Sequence, residues 1–290
     1  MLVDQVAQTY GDGLKLPAFL QQLKPALRSL RNRYDVDQPQ VAYDAPSNQA
    51  AYLLAYYPHY VRQTDRVLRE AAAAHPGFAS ILQQPTLNAT LIGSGPLPEG
   101  LGLLQACRVL GNMPVVKAIS MDINAAAWSP ARRITRQVIK DWMQRLAGYS
   151  KHSPLEVREQ VFDLADAQPL TPEQQRSFGR QDLVIIQNCC NEVKHQPALF
   201  AKLQQILASL PCGSAFVISD FQYGATNAAI QSLLNSDVVK QHYHVLHCPQ
   251  RKIPAVTAPS VLQQHLFERS NGLWARRVVK YRALCLYRHS

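Results

Sequence analysis

The stretch that decides the fold runs from residue 89 to residue 104 and reads ATLIGSGPLPEGLGLL. Three of its first four residues are apolar and the other is a threonine, which predicts a short strand, and its last four residues predict the start of a helix. Between them, Gly93 and Gly95 form a turn in which the backbone can approach a ligand closely. A turn that only redirected the chain would need one of these glycines, so we expect a binding site here.

The composition is that of a folded protein. The chain has 290 residues, of which 47% are hydrophobic and 17% are charged, which fits one large domain or one domain with a smaller cap. No apolar run reaches the length of a membrane-spanning helix, and the first residues do not resemble a secretory leader. The six cysteines form no C-x-x-C pair, so we expect free thiols and a cytoplasmic protein.

The net charge of +10 is unevenly distributed. Residues 240–290 contain nine lysines and arginines and one acid, and a second basic run extends from Arg132 to Arg145. Such surfaces attract nucleic acid or small molecules that carry carboxylates or phosphates. A basic face that is only solvated explains the same pattern equally well.

The first 85 residues lack strand signals and predict an N-terminal α-helical cap. Residues 16–30 have apolar side chains at helical spacing, although Pro17 and Pro25 interrupt them. Residues 31–47 are polar and predict a loop. Residues 48–73 predict a long helix with an interruption near Pro58.

From residue 86 onward, short apolar segments alternate with helical ones. The predicted strands are residues 89–92, 115–121, 159–163, 183–187, 215–219, 243–247 and 278–287. The predicted helices between them are residues 101–110, 131–148, 198–210 and 225–235. This alternation is typical of parallel βαβ units in an α/β fold, and we expect the long final strand to be antiparallel. The predicted domains are therefore residues 1–85 and 86–290.

The glycine turn lacks the features of a phosphate-binding loop. In a dinucleotide fingerprint a third glycine would occupy the place of Pro98, and the charge of Glu99 is unfavourable for a pyrophosphate. The turn also differs from the G-x-x-x-x-G-K-[ST] pattern. We therefore expect a ligand that is not held through phosphates.

Two acids stand at the ends of the next two predicted strands. Asp122 is placed to accept hydrogen bonds from both hydroxyls of a ribose, or alternatively to cap the following helix. Asp163, followed by Leu164, is placed to read an exocyclic amine and a ring nitrogen of adenine, or alternatively it is a solvated loop acid. Together with the turn, the two acids describe adenosine without phosphates.

Residues 89–290 resemble the class I S-adenosylmethionine-dependent methyltransferases. The similarity rests on Gly93, Gly95, Asp122, Asp163-Leu164, Gln187-Asn188 and Pro211-Cys212-Gly213. It implies a Rossmann-like sheet of seven strands, mostly parallel with an antiparallel last strand, and S-adenosyl-L-methionine as cofactor. The residues that it implies for the cofactor are Gly93, Ser94, Gly95, Pro96, Asp122, Ile123, Asp163, Leu164 and Asn188. Many members carry an acid where this chain has Leu91, so either another group holds the methionine end or that end is bound differently.

Three short segments are similar to nicotianamine synthases, which transfer the aminocarboxypropyl arm of the same cofactor. They are Gly93-Ser94-Gly95-Pro96-Leu97-Pro98, Tyr57-Pro58-His59-Tyr60 and Met121-Asp122-Ile123-Asn124. The Tyr-Pro helix and the turn are also similar to a methyltransferase-like family associated with the small ribosomal subunit. That family's cysteine cluster is absent from the sequence.

The candidate reacting groups follow the fourth predicted strand and the cap. Asn191 and Glu192 are candidates to orient or deprotonate an acceptor, and His59 is a second candidate base. Tyr57 and Tyr60 are candidates to contact the substrate. The alternatives are a capped helix start for the first two residues and core packing for the tyrosines. His242, His244, His247 and Cys248 do not all share one strand face, so we predict no metal site.

The sequence thus favours a methyltransferase that acts on a small polar or acidic acceptor and does not bind a membrane. Aminocarboxypropyl transfer is one alternative. An RNA methyltransferase or a non-catalytic RNA-binding relative is another, although RNA is the less favoured partner. The sequence leaves a homodimer open.

Overall fold

Helices make up the part of the chain before the first strand in the computed structural model, which describes residues 1–34, 42–146, 154–193, 196–247, 250–268 and 273–290. These helices are α1 (Leu2–Tyr10), α2 (Leu16–Gln22), α3 (Lys24–Tyr34), α4 (Pro46–Ala55), α5 (Tyr57–Ala74) and α6 (Pro76–Leu82). Prolines begin or nearly begin α2, α4, α5 and α6, where a missing N–H costs no hydrogen bond. The interruption predicted near Pro58 is confirmed, and α1 and α6 are additional helices. Part of the predicted loop at 31–47 belongs to α3 and α4, and residues 35–41 lie outside the described residues.

Strands and helices then alternate to the end of the chain. The strands are β1 (Thr86–Ile92), β2 (Val115–Asp122), β3 (Leu155–Val161), β4 (Leu183–Gln187), β5 (Ala215–Phe221), β6 (Tyr243–His247), β7 (Gln250–Pro254) and β8 (Val278–Arg288). The helices are α7 (Pro98–Val109), α8 (Ser129–Gln144), α9 (Pro172–Phe178), α10 (Gln196–Ser209), α11 (Gly224–Asn235), α12 (Asp237–His242) and α13 (Ser260–His265). A short 3-10 turn, Cys190–Glu192, follows β4.

The described strands form one sheet in the order β3-β2-β1-β4-β5-β8-β6. β1 to β5 pair in parallel, and β8 runs antiparallel to β5, which confirms the predicted fold class. Every residue of β4 and β5 is buried, as is typical of strands covered on both faces. The strand order reverses between β1 and β4, and the carboxyl ends of strands at such a point are where α/β sheets bind ligands.

Two details of the sheet differ from the prediction. The strand predicted at 159–163 is β3, which begins at Leu155 and ends at Val161, so Asp163 lies beyond the strand in a loop. The sheet also has an eighth strand, because β8 is long enough to pair with two short ones. β6 pairs with the second half of β8, and β7 pairs with its first half.

The N-terminal helices share a core with the sheet. Alternate residues of β5, such as Val217 and Phe216, belong to two separate buried clusters on the two faces. The cluster with Val217 includes residues of α1 to α8, and the other cluster includes residues of α10 and α11. Helix α5 crosses α7 closely at Gly102, where a Cβ atom would lie 2.6 Å from the Val61 carbonyl oxygen. The domain boundary predicted at residue 85 therefore stays a prediction. The two regions on either side of it pack against each other in one core.

Candidate functional site

A cavity of about 380 Å³ opens at the carboxyl ends of β1, β2 and β4, where the strand order reverses. Several predicted site residues line it together: Gly93, Gly95, Asp122, Ile123, Asp163, Leu164, Asn188 and Glu192. The lining also includes Tyr43, Tyr52, Asn124, Trp128, Phe162 and Cys189, which the sequence did not single out for this site. The fold thus brings most of the predicted residues to one place.

The glycine turn between β1 and α7 has a conformation that favours glycine. Gly93 and Gly95 have φ angles of +64° and +43°. A Cβ atom at Gly93 would lie 2.6 Å from the Cys189 sulfur, and one at Gly95 would lie 3.2 Å from the Trp128 ring. Both glycines are therefore required by the backbone angle and by the neighbouring side chains.

A buried arginine stabilises the glycine turn through hydrogen bonds to backbone carbonyl groups. The Arg132 side chain is fully buried, and its Nε atom donates to the Gly95 carbonyl oxygen at 2.8 Å. One terminal nitrogen donates to the Ala125 carbonyl oxygen at 2.9 Å and lies 2.9 Å from a carboxylate oxygen of Glu159. Neither alternative for the basic run, an anion-attracting surface or a solvated face, describes Arg132, because its side chain is buried. Its spacing among the buried residues of α8, beside Ala131 and Thr135, is the signal that was missed.

Asp122 joins the turn to the end of β2. One carboxylate oxygen accepts from the Gly95 N–H at 2.9 Å, and the other accepts from the Asn124 N–H at 2.7 Å. Burial raises the pKa of this carboxyl group, while the two backbone donors and Arg132 oppose that rise. Each oxygen retains further acceptor capacity, so Asp122 can fix the turn and still accept hydrogen bonds from a ligand.

The loop after β3 supplies a mostly apolar wall of the cavity. Phe162 and Leu164 are buried there, and Ile123 from the end of β2 lies at the same cavity with 59% of its surface exposed. Asp163 accepts a hydrogen bond from the Ala165 N–H at 2.7 Å. That bond is the local turn contact expected of a loop acid, and the position of Asp163 at the cavity also leaves its carboxylate available to a ligand.

The end of β4 places polar groups at the cavity, on the side opposite the apolar wall formed by the loop after β3. Asn188 adopts a left-handed backbone conformation, with φ +52°. Both polar atoms of its side-chain amide are buried, and neither has a hydrogen-bond partner among the described residues. A buried amide without partners is costly, because it has lost water and gained nothing. Asn188 is therefore a strong candidate to bind a polar ligand.

Glu192 lies at the end of the 3-10 turn that follows Asn188. One of its carboxylate oxygens accepts from the Tyr43 hydroxyl at 2.7 Å. Burial raises the pKa of Glu192 to about 8, and the Tyr43 hydrogen bond opposes the rise. Asp220 and Asp122 raise it further through charge repulsion. A carboxyl group with such a pKa can exchange a proton near neutral pH.

Asp220 secures the turn that carries Glu192. It accepts from the Cys190 N–H at 2.9 Å and from the Phe221 N–H at 2.7 Å. It is fully buried, and burial raises its pKa to about 7 while these backbone donors oppose the rise. The ends of β4 and β5 are thereby tied together beside the cavity.

Three aromatic rings form a wall of the cavity. The rings of Tyr43 and Trp128 have centroids 5.3 Å apart, those of Tyr52 and Trp128 are 5.5 Å apart, and those of Tyr43 and Tyr52 are 5.9 Å apart. We call these three residues the aromatic wall. Tyr52 is the first member of a helical series that continues with Tyr56 and Tyr60, and this four-residue spacing was the available signal.

Three predicted residues near the turns do not line the cavity. Ser94 is buried and shares a hydrogen bond of 2.8 Å with the Ser120 hydroxyl. Pro96 offers its carbonyl oxygen to the Thr135 hydroxyl. Asn191 is buried, with 1% of its surface exposed. These residues support the loops that carry the lining residues.

The predicted residues on α5 also lie away from the cavity lining. Tyr57 and Tyr60 are 2% and 1% exposed, and burial raises the pKa of both phenols. His59 accepts a hydrogen bond from the Val256 N–H at 3.1 Å. Burial and the nearby charges of Arg276 and Arg62 lower the pKa of His59 to about 4. The core-packing alternative thus describes the surroundings of Tyr57 and Tyr60, and His59 is buried beside them with its ring nitrogen hydrogen-bonded to the backbone.

None of the described helices is long and apolar enough to cross a membrane. Within the described ranges, no three His, Cys, Asp or Glu side chains are grouped as metal ligands would be. Cys107, Cys189, Cys190, Cys212 and Cys285 are free thiols, while Cys248 lies outside the described residues.

Among known proteins, this chain is similar to solved structures. No family model and no curated protein sequence matches the chain. The precorrin-6y C5,15-methyltransferase of Geobacter metallireducens has 12% identity and a TM-score of 0.42, with 76% of this chain and 87% of that chain covered. A SAM-dependent methyltransferase of Methanosarcina mazei has 10% identity and a TM-score of 0.41, with coverages of 74% and 97%. The CMeT domain of a citrinin polyketide synthase has 12% identity and a TM-score of 0.47, with coverages of 95% and 70%.

Proposed function

We propose that this protein is an S-adenosyl-L-methionine-dependent methyltransferase with a small polar acceptor. One observation carries the proposal: a single cavity at the strand-order reversal gathers the glycine turn, Asp122, the 163–164 loop and Asn188. Each of these groups suits a different part of an adenosyl ligand. A cytoplasmic location and a homodimer remain predictions of the sequence.

The cavity has the size and chemistry that the cofactor needs. Its volume of about 380 Å³ lies within the range of about 300–1,000 Å³ found for small-molecule sites. The side-chain amide of Asn188 is buried there without partners, so a polar ligand group would satisfy it. Phe162 and Leu164 supply apolar surface for a planar base. The residues present therefore fit an adenosyl group with a polar tail.

The same residues disfavour a ligand held through phosphates. Helix α7 begins with Pro98, which lacks an N–H, and continues with Glu99, whose carboxyl group is 1% exposed. Burial raises the pKa of Glu99 well above its ordinary value. A phosphate site at a helix N-terminus relies on free N–H donors, and this helix start is poor in them, because Pro98 has no N–H and the Glu99 N–H is hydrogen-bonded to the carboxyl group of its own side chain.

Each candidate residue then has a defined task. Asp122 would accept the ribose hydroxyls, and Asp163 with the loop N–H groups would bind the adenine edge. Asn188 would bind the methionine end, where Leu91 replaces the more usual acid. When bound, the cofactor supplies an electrophilic methyl group. Glu192 would orient an acceptor and take up its proton, since its raised pKa suits that exchange.

Product analysis separates methyl transfer from the alternatives. Methyl transfer releases S-adenosylhomocysteine, whereas aminocarboxypropyl transfer releases methylthioadenosine, so mass spectrometry of the released nucleoside distinguishes them. The acidic acceptors that the sequence allowed are less compatible with a lining that contains Asp122, Asp163 and Glu192. An RNA acceptor would show affinity for RNA that falls steeply with salt.

Calorimetric titration with S-adenosylhomocysteine tests the cofactor assignment. We expect the wild-type protein to bind it, and Asp122→Ala to weaken binding about 100-fold, because charge-assisted hydrogen bonds contribute about 1.5–3 kcal/mol each. Asp166→Asn is the matched control, since Asp166 is an exposed loop acid outside the cavity lining. Absence of binding by the folded wild-type protein would contradict the proposal.

A further inference from the structure

We propose that the aromatic wall and Glu192 together bind a cationic group, so that the methyl acceptor is an amine. The inference rests on the proposed function, because it names the acceptor class of the same cavity. Tyr43 is central to it, since its ring belongs to the wall and its hydroxyl donates to Glu192. The structure thus places a π surface and a carboxylate next to each other.

The aromatic wall brings three rings, tilted against one another, to the lining of the cavity. Its three rings contact one another at centroid distances from 5.3 to 5.9 Å, and all three belong to the cavity lining. A cation above the face of such a ring is attracted by the ring quadrupole, and the attraction grows as water is removed. A neutral alcohol of the same shape gains only the apolar part of this contact.

The charges around the cavity favour a cation as well. Asp122, Asp163 and Glu192 supply three carboxyl groups to the lining, and no lysine, arginine or histidine occurs among its described members. The backbone N–H donors already satisfy part of the acceptor capacity of Asp122 and Asp163. Glu192 accepts from the phenol of Tyr43 instead, so among these carboxyl groups it is the one hydrogen-bonded to the aromatic wall, and its ionised form is placed to accept from an ammonium N–H.

Proton transfer follows from the same arrangement. An ammonium group must lose one proton before its nitrogen lone pair can act as a nucleophile, and the ionised Glu192 carboxylate takes up that proton. The titratable groups that face Glu192 are Tyr43, Asp122, Cys189 and Asp220. Lys194 and His195 follow it in the chain and lie outside the described residues.

The affinity for a cation should depend on pH. Glu192 has a pKa of about 8, so much of it is protonated at neutral pH. A bound cation favours the ionised form, and binding therefore releases a proton below pH 8. We expect cation affinity to rise with pH up to about 8 and then to level off.

The test compares choline with its neutral isostere 3,3-dimethyl-1-butanol on protein saturated with S-adenosylhomocysteine. This form of the cofactor lacks the sulfonium charge, so it does not compete for the wall as a cation. Calorimetry should show choline binding about 10-fold more tightly than the alcohol. In buffers of different ionisation enthalpy, choline binding at pH 7 should release protons.

Variants assign the preference to the wall and the carboxylate. Tyr52→Leu should remove most of the preference for choline, and Glu192→Gln should remove both the preference and the proton release. Tyr43→Phe keeps the ring and should retain preference while moving the pH midpoint upward, because it removes a hydrogen bond that lowers the pKa of Glu192. Tyr287→Leu is the aromatic control, since Tyr287 packs against His75 and does not line the cavity.

Two results would overturn the inference. One is equal affinity for choline and the alcohol in protein that binds S-adenosylhomocysteine normally. The other is a Tyr52→Leu variant that loses only its preference for S-adenosylmethionine over S-adenosylhomocysteine, which would assign the wall to the cofactor sulfonium. Failure to bind either form of the cofactor would instead contradict the proposed function.

Discussion

The two sides of the cavity differ in how their polar groups are satisfied. On the turn side, Gly95 is held by hydrogen bonds to Asp122 and Arg132, and both Asp122 oxygens have backbone donors. The opposite side, formed by the end of β4 and the 3-10 turn that follows it, is called the tip side here. On it, the Asn188 amide has no partner among the described residues, and Glu192 has a pKa raised to about 8. The polar groups of the turn side are hydrogen-bonded within the protein. Those of the tip side would gain favourable interactions when a polar or charged ligand binds.

This difference separates the roles of residues that look alike in the sequence. Asp122 and Glu192 are both acids that follow parallel strands. Backbone donors oppose the effect of burial on Asp122, so it suits the role of a fixed acceptor. Neighbouring acids add to the effect of burial on Glu192, so it suits proton exchange. The predictions below test each side separately.

The largest expected effect is on the tip side. Glu192→Gln should lower kcat about 10²–10⁴-fold for any acceptor that the wild-type protein methylates, because it removes a positioned base. Its affinity for S-adenosylhomocysteine should stay within about 2-fold, since Asp122 and the turn are unchanged. Glu173→Gln, at an exposed position of α9, is the matched control. Loss of kcat and cofactor affinity in equal measure would show that the two sides are not separable.

The next effect concerns the scaffold of the turn side. Arg132→Met should lower the free energy of unfolding by about 2–4 kcal/mol, because the carbonyl oxygens of Gly95 and Ala125 lose their buried donor and Glu159 loses one of its two arginine partners. Arg136 lies 3.4 Å from the other Glu159 oxygen but is 45% exposed, and Arg136→Met should cost under about 1 kcal/mol. Urea denaturation of both variants measures the difference. Similar values would mean that Arg132 does not anchor the turn.

The sequence predicted the sheet better than the cavity wall. Strand periodicity located β4 and β6 to the residue, and Gly93, Asp122 and Asp163 were found because strand ends converge at one edge of a sheet. The aromatic wall was missed because it forms between distant segments. Tyr43 comes from a loop before α4, and Trp128 comes from the loop before α8.

The residues predicted on α5 show the opposite limitation. Tyr57, His59 and Tyr60 were chosen for their chemistry, but all three lie on the parts of α5 that are packed against other elements. Helical spacing identifies residues that share a face without identifying what covers that face. The tyrosines that line the cavity are instead Tyr52, on the preceding helix α4, and Tyr43, in the loop before it.

A smaller effect is expected from Asn188, whose backbone lies in the left-handed region. Asn188→Gly keeps that conformation and removes the buried amide that lacks partners, so the free energy of unfolding of the ligand-free protein should rise by about 1 kcal/mol. Affinity for S-adenosylhomocysteine should fall about 10-fold, because a hydrogen-bonding group of the binding site is lost. Asn188→Ala is the companion variant, and left-handed strain should destabilise it by about 1 kcal/mol. Unchanged affinity in Asn188→Gly would show that the amide does not face the ligand.

The smallest effect is the pH dependence of stability caused by Glu192. The folded protein keeps the Glu192 proton up to a pKa of about 8, whereas the unfolded chain loses it near pH 4.3. The folded state therefore binds more protons between these values, and stability falls as pH rises through them. Glu192→Gln lacks this slope, so its stability relative to wild type should increase from pH 5 to pH 8 and stay constant above. Because Glu192 borders the cavity, we expect a gain of about 1 kcal/mol, or about 2–4 °C in Tm. Asp220 titrates in both proteins and largely cancels in the difference. A difference that does not vary with pH would mean that Glu192 is ionised throughout, and Glu192 would then not differ from Asp122 in the way compared above.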